Sequence, residues 1–167
     1  MNANLLFDFN VDKANKKVIV KREFPAPVNK VWAAWTESEL LDKWWAPKPW
    51  KAETKSMDFT PGGRWLYAMV SPEGQKHWSL SDYQQIEPQK SFSALNAFSD
   101  SDGNIDPAIG RSSWTNTFSD AGNGVTLVNV EIRHDKLEDL EKYIEMGFKE
   151  GFTMGLGNLE ELLASQQ

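Results

Sequence analysis

One stretch constrains the fold more than any other. From Asp135 to Ala164, Leu137, Leu140, Ile144, Phe148, Phe152, Leu156, Leu159 and Leu163 recur at spacings of three and four, the period of a helix that buries one face. At about 1.5 Å per residue it runs roughly 40 Å, enough to cross a small domain. A helix of that length with one apolar face needs a broad apolar surface to lie on. Its middle is unusual: Gly147, Gly151, Gly155 and Gly157 each cost about 1 kcal/mol relative to Ala in a helix interior. Close packing of backbone against aromatic rings, or space for a guest, would offset that cost. The closely spaced pair Gly155 and Gly157 predicts a kink.

The surface comes from the rest of the chain, which reads as short strands. Leu6 to Val11 alternates, with Phe7, Phe9 and Val11 on one face, and Val18 to Phe24 alternates again; both are half-buried strands. Pro25 and Pro27 end the second. Val28, Val31, Trp32 and Trp35 then mark a short helix, and Leu40, Leu41 and Trp44 a second, with Thr36 or Ser38 as its N-cap. Six strands follow: Ala52 to Phe59, Arg64 to Val70, His77 to Ile86, Ser91 to Phe98, Arg111 to Phe118 and Val125 to Ile132. Turn residues separate them, among them Pro61-Gly62-Gly63, Pro72-Glu73-Gly74 and Gly122-Asn123-Gly124. Strands segregated from helices predict an α+β architecture: a curved antiparallel sheet of about six to seven strands around the C-terminal helix, with two short helices after the first core strand.

A chain of 167 residues without cysteine is expected to form one domain, residues 1–167, with a real core and no disulfide, thiol or zinc-ribbon chemistry. The start has no basic-then-apolar leader pattern, and no apolar run approaches about 20 residues, so the expected address is the cytoplasm, without a membrane span. The net charge of −6 is spread along the chain, which argues against nucleic acid as a partner. Eight Trp and nine Phe suit a heavy core or an aromatic-lined pocket.

Several motifs together resemble a known family. Arg22-Glu23-Phe24-x-Ala26-Pro27, then Val31-Trp32-x-Ala34-Trp35-Thr36, then Trp44-Trp45-Ala46-Pro47 are similar to the opening of domains homologous to the C-terminal part of the activator of Hsp90 ATPase, a group within the START-like, Bet v 1-like superfamily. Pro61-Gly62-Gly63-x-Trp65-x-Tyr67-x-Met69, Tyr83-x-x-Ile86-x-Pro88, Phe98-Ser99-Asp100-x-Asp102-Gly103 and Gly151-Phe152 follow in order. The match spans about residues 18–164 and leaves residues 1–17 as an added strand and turn. It implies a helix-grip fold, a sheet wrapped on a long helix, with a cavity between them. Ser81 and Ser91 depart from the pattern and put polar groups near the sheet.

Alternation then predicts which residues face the helix. Trp65, Tyr67, Met69, Trp78, Phe92, Asn96, Trp114 and Asn116 are the candidate cavity residues of the sheet, and Ile144, Phe148, Gly151 and Phe152 those of the helix. For each aromatic, ordinary packing competes with ligand contact. Asn96 and Asn116 say more, because a buried amide without partners costs about 1–3 kcal/mol; water, mutual hydrogen bonding, a bulge or a ligand would satisfy them. Trp44, Trp45 and Trp50 are expected at the cavity mouth, as core caps or an entry lip. Arg22 is placed at the rim, and His77, by its parity with Trp78, outside. Asp100, Asp102, Asn104 and Asp106 form a solvated loop rather than a calcium site, since no Glu closes it.

Neither histidine, His77 or His134, has a nucleophile with an orienting partner, and no metal-ligand or phosphate-loop spacing occurs. No catalytic residue, metal or cofactor is therefore expected. The leading expectation is binding of a small hydrophobic or amphipathic molecule in an internal cavity between the sheet and the C-terminal helix. The alternatives are a co-chaperone-like interaction domain, with a chaperone or a second copy as partner, and a cavity enzyme of the same superfamily.

Overall fold

The computed structural model describes residues 5–166. Eight strands form one antiparallel sheet: β1 (Phe7–Asp12), β2 (Lys17–Phe24), β3 (Lys51–Met57), β4 (Arg64–Val70), β5 (Lys76–Glu87), β6 (Ser91–Ser99), β7 (Ser112–Gly122) and β8 (Val125–His134). Their order is β1-β2-β8-β7-β6-β5-β4-β3. The sheet thus has eight strands rather than six or seven, because β1 pairs along its whole length with β2, from Phe7 opposite Arg22 to Asp12 opposite Lys17. Between β2 and β3 come α1 (Val28–Thr36) and α2 (Ser38–Trp44). The N-cap of α2 is Glu37, without a side-chain cap bond. Thr36 instead donates its hydroxyl hydrogen bond back to the Trp32 carbonyl at 2.8 Å, and Ser38 lies inside the helix.

The C-terminal segment is two helices, α3 (Leu137–Glu145) and α4 (Phe148–Ser165). The break falls at Met146-Gly147, where Gly147 takes a φ of 91°, a conformation that side chains resist. No kink occurs at Gly155 and Gly157, which lie within continuous α4. Gly155 is there for close approach: a Cβ on it would stand 3.2 Å from the Trp45 carbonyl oxygen and 3.4 Å from that of Trp44. Asn158 sits one turn along and donates to the Ala46 carbonyl at 3.1 Å, which ties α4 to the chain leaving α2.

The core lies between the inner sheet face and α1, α2 and α4. Val18, Val20, Phe24, Val128, Val130 and Ile132 from the sheet meet Leu156, Leu159 and Leu163 from α4, all essentially inaccessible. On the outer face a smaller cluster of Leu66, Leu80 and Ala97 forms with Trp78 packed against it. The loop 100–110 is folded here: Arg64 donates to the Gly103 carbonyl at 3.2 Å and Lys55 to that of Ser101 at 2.7 Å. The Asp100 carboxylate is used within the loop, accepting hydrogen bonds from the backbone N–H of Asp102 and Asn104 and from the Asn104 amide.

Candidate functional site

The β4–β5 hairpin decides the site, because its turn sets which side chains of β5 point at the helices. Ser71 closes the turn, its backbone N–H donating to the Gln75 carbonyl at 2.9 Å and its hydroxyl accepting from the Gln75 N–H at 3.0 Å. The register that follows pairs Met69 with His77, Tyr67 with Ser79 and Trp65 with Ser81. His77, Ser79 and Ser81 therefore share the inner face with Trp65, Tyr67 and Met69, while Trp78 shares the outer face with Ala68. Both expectations for this pair are reversed: Trp78 points out, beneath the ammonium groups of Lys55 and Lys76, and His77 lies on the cavity side. The bulge that allows Tyr83 and Ile86 both to face inward comes after Tyr83, too late to turn Trp78.

Asp82 is also on the outer face. Arg64 and Arg111 bridge it, Arg111 at 2.6 Å. Burial opposes its charge, but hydrogen bonds from Arg64 and then Arg111 outweigh that and hold its carboxyl below the usual carboxylate range. At the rim, Arg22 reaches Glu160 of α4 at 3.3 Å and lies over the rings of Phe7 and Phe24, with its stem packed and its charge paired.

Between the inner face and the start of α4 lies a cavity of about 230 Å³. Of the sequence candidates, Tyr67, Met69, Asn96, Trp114, Phe148, Gly151 and Phe152 line it, with Trp45 at its side. Trp65, Phe92 and Asn116 instead line a separate inner cavity of about 20 Å³. Ile144 packs at the edge of the core and lines neither cavity. Of the three tryptophans expected at the mouth, Trp44 is wholly buried, its indole N–H donating to the Ala34 carbonyl at 2.8 Å. Trp50 packs on His77 with ring centroids 5.3 Å apart and lines neither cavity. Trp45 is the hub, within 6.0 Å centroid distance of Trp35, Trp44, Trp65, Trp114 and Phe152.

His77, Ser79, Ser112, Tyr143 and Met146, none of them among the sequence candidates, also line the cavity. The side on which the first two fall depends on the register across the β4–β5 turn, which alternation along β5 alone does not give. Tyr143 takes the place expected for Ile144 because the break at Gly147 resets the helical phase.

Few polar groups in the larger cavity lack partners. The Tyr67 hydroxyl accepts from the Trp45 indole N–H at 2.9 Å, and Ser112 accepts from that of Trp114 at 3.1 Å. Burial pushes the Tyr143 phenol up to about 12, against the effect of its hydrogen bond with Ser112, and raises Tyr67 as well. Both are neutral hydroxyls at physiological pH. Asn96 lines this cavity and the smaller one, and its buried carbonyl oxygen has no partner among the described residues. Among the described residues no Asp, Glu, Lys or Arg lines the cavity. Behind it, His134 is buried beside the Tyr143 ring, 4.9 Å between centroids, and neither ring nitrogen has a partner among the described residues. Desolvation lowers its pKa, with Asp139 and Asp135 opposing.

An antiparallel sheet gripping a C-terminal helix over an aromatic cavity defines a helix-grip protein of the Bet v 1-like class. The family model "Activator of Hsp90 ATPase homolog 1-like protein" matches residues 25–164, and the chain belongs to that family. Its fold is that of protein Ms6760 from Mycobacterium smegmatis, with a TM-score of 0.86, 28% identity and coverage of 95% of this chain and 96% of that one. Protein NE0264 from Nitrosomonas europaea is similar at 31% identity and a TM-score of 0.78, over 93% and 98% of the two chains. The AHSA1 protein from Silicibacter pomeroyi shares the fold at 20% identity, with a TM-score of 0.72 over 90% and 99%. No curated protein matches the chain. Among the described residues no helix is long and apolar enough to cross a membrane.

Proposed function

We propose that the chain binds a small, uncharged hydrophobic or amphipathic molecule in the cavity between the sheet and α4. The observation that carries this reading is the composition of the wall: aromatic rings of Trp45, Trp114, Phe148 and Phe152, a few neutral hydroxyls and one amide, and no formal charge among Asp, Glu, Lys and Arg. An ionised ligand would surrender its hydration without a counter-ion, at a cost of several kcal/mol. The volume of about 230 Å³ lies below the roughly 300–1,000 Å³ usual for drug-sized ligands, which favours a compact molecule over a long acyl chain. Asn96 supplies a polar contact at the inner end, and exposed Met146 stands at the mouth.

Native mass spectrometry and thermal shifts across lipids, aromatic polyketides and isoprenoids test the reading. A compact neutral compound is expected to raise the melting temperature of the wild-type protein. Gly151→Leu, whose side chain would enter the cavity near Pro47, should abolish that shift while the variant stays folded. No stabilisation by any of the panel counts against the reading.

The family description supports a second reading, a co-chaperone-like interaction domain. It predicts a complex with an Hsp90-type chaperone, and titration calorimetry without heat or binding would count against it.

A further inference from the structure

The inner cavity presents an unusual set of polar atoms. Trp35 and Asn116 are each about 98% buried, being 2% exposed, yet the Trp35 indole Nε1 and the Asn116 Oδ1 have no hydrogen-bond partner among the described residues. Asn96 Oδ1 is a third such atom. All three residues line the same space of about 20 Å³. Leaving three such groups unsatisfied costs about 1–3 kcal/mol each, so their convergence on one small space points to a resident that satisfies them together.

We infer that this cavity holds one ordered water molecule, hydrogen-bonded to Trp35 Nε1, Asn96 Oδ1 and Asn116 Oδ1. The donor and acceptor count matches. The indole N–H donates to the water oxygen, and the two water protons are donated to the two amide oxygens. Buried waters typically make about three hydrogen bonds and need roughly 10–15 Å³, and the space meets both requirements. An ion does not fit the set, because a cation has no use for the indole N–H and an anion would face two carbonyl oxygens.

The water also has a positioning role. Asn96, with Trp45 and Trp114, lines both cavities. A water holding Asn96 Oδ1 inward leaves the amide Nδ2 as the group facing the larger cavity. The inner site does not depend on what that larger cavity binds.

A crystal structure of the full chain at a resolution that shows ordered water, together with water-selective nuclear Overhauser spectra, tests the inference. The expected result is a single density peak within hydrogen-bond distance of all three atoms, and a water cross-peak on the Trp35 indole proton with the sign of a long-lived molecule. In Asn116→Leu, a near-isosteric change, both signals should be lost; if that variant does not fold, the wild-type spectrum and Trp35→Phe, which should lose the peak, decide. An empty cavity, a direct Trp35–Asn116 hydrogen bond, or a ligand atom in place of water would overturn it.

Discussion

At the scale of single residues, the glycines of α4 separate into different physical cases. Gly155 has the backbone carbonyls of Trp45 and Trp44 at 3.2 and 3.4 Å from where a Cβ would sit, and the Asn158 hydrogen bond to Ala46 holds that stretch of backbone close to α4. Gly155→Ala is therefore expected to destabilise the protein by about 1–3 kcal/mol. Gly157 has nothing within 4 Å and a helical backbone, so Gly157→Ala should stabilise by about 0.4–1 kcal/mol through the unfolded state. Urea denaturation of the two variants side by side checks the opposite signs. His134 is another residue-scale case. Its pKa is lowered from 6.5 in the folded protein, first by desolvation. Below the unfolded pKa the unfolded chain takes up a proton that the folded one resists, so stability is lost as pH falls from about 7 towards 5. His134→Gln should flatten the dependence of urea midpoint on pH in that window, and an unchanged slope would show that His134 does not set it.

At the scale of elements, the C-terminal segment shows what periodicity can and cannot say. The apolar stripe runs unbroken in sequence, but Gly147 adopts a left-handed backbone that divides it. Gly147→Ala should cost about 1–2 kcal/mol, the penalty of a Cβ in that conformation, read as a lower denaturation midpoint. Asn158 has the complementary role of a fastener, its amide reaching the Ala46 carbonyl. Asn158→Ala is expected to cost about 1–3 kcal/mol because a buried carbonyl loses its donor, and hydrogen exchange of α4 should rise with it. The β4–β5 hairpin gives the other lesson. Alternation alone told the two faces of β5 apart but could not say which was inner, and the Ser71–Gln75 turn resolved it in favour of His77, Ser79 and Ser81.

At the scale of the whole molecule, the tryptophans organise the interior. Trp45, with Asn96 and Trp114, lines both cavities and donates its indole N–H to the Tyr67 hydroxyl. Trp45→Ala should merge them, lower stability by about 3–5 kcal/mol and increase the binding of a fluorescent apolar dye to the folded protein. A folded variant with unchanged dye binding would mean that the surrounding rings had collapsed into the space.

Sequence by itself determined the α+β architecture, the family and most of the inner-facing residues, because hydrophobic alternation along a strand and the three-to-four spacing of a helix are local signals that burial imposes on every residue of an element. Tyr67, Asn96, Trp114 and Phe152 were legible for that reason. Only the tertiary structure decided the break at Gly147, the place of His77 on the cavity side of β5, the pairing of Asp82 with two arginines, and the presence of a small inner cavity beside the larger one. These depend on backbone conformation at single turns and on side chains brought together from distant strands, which no local period encodes.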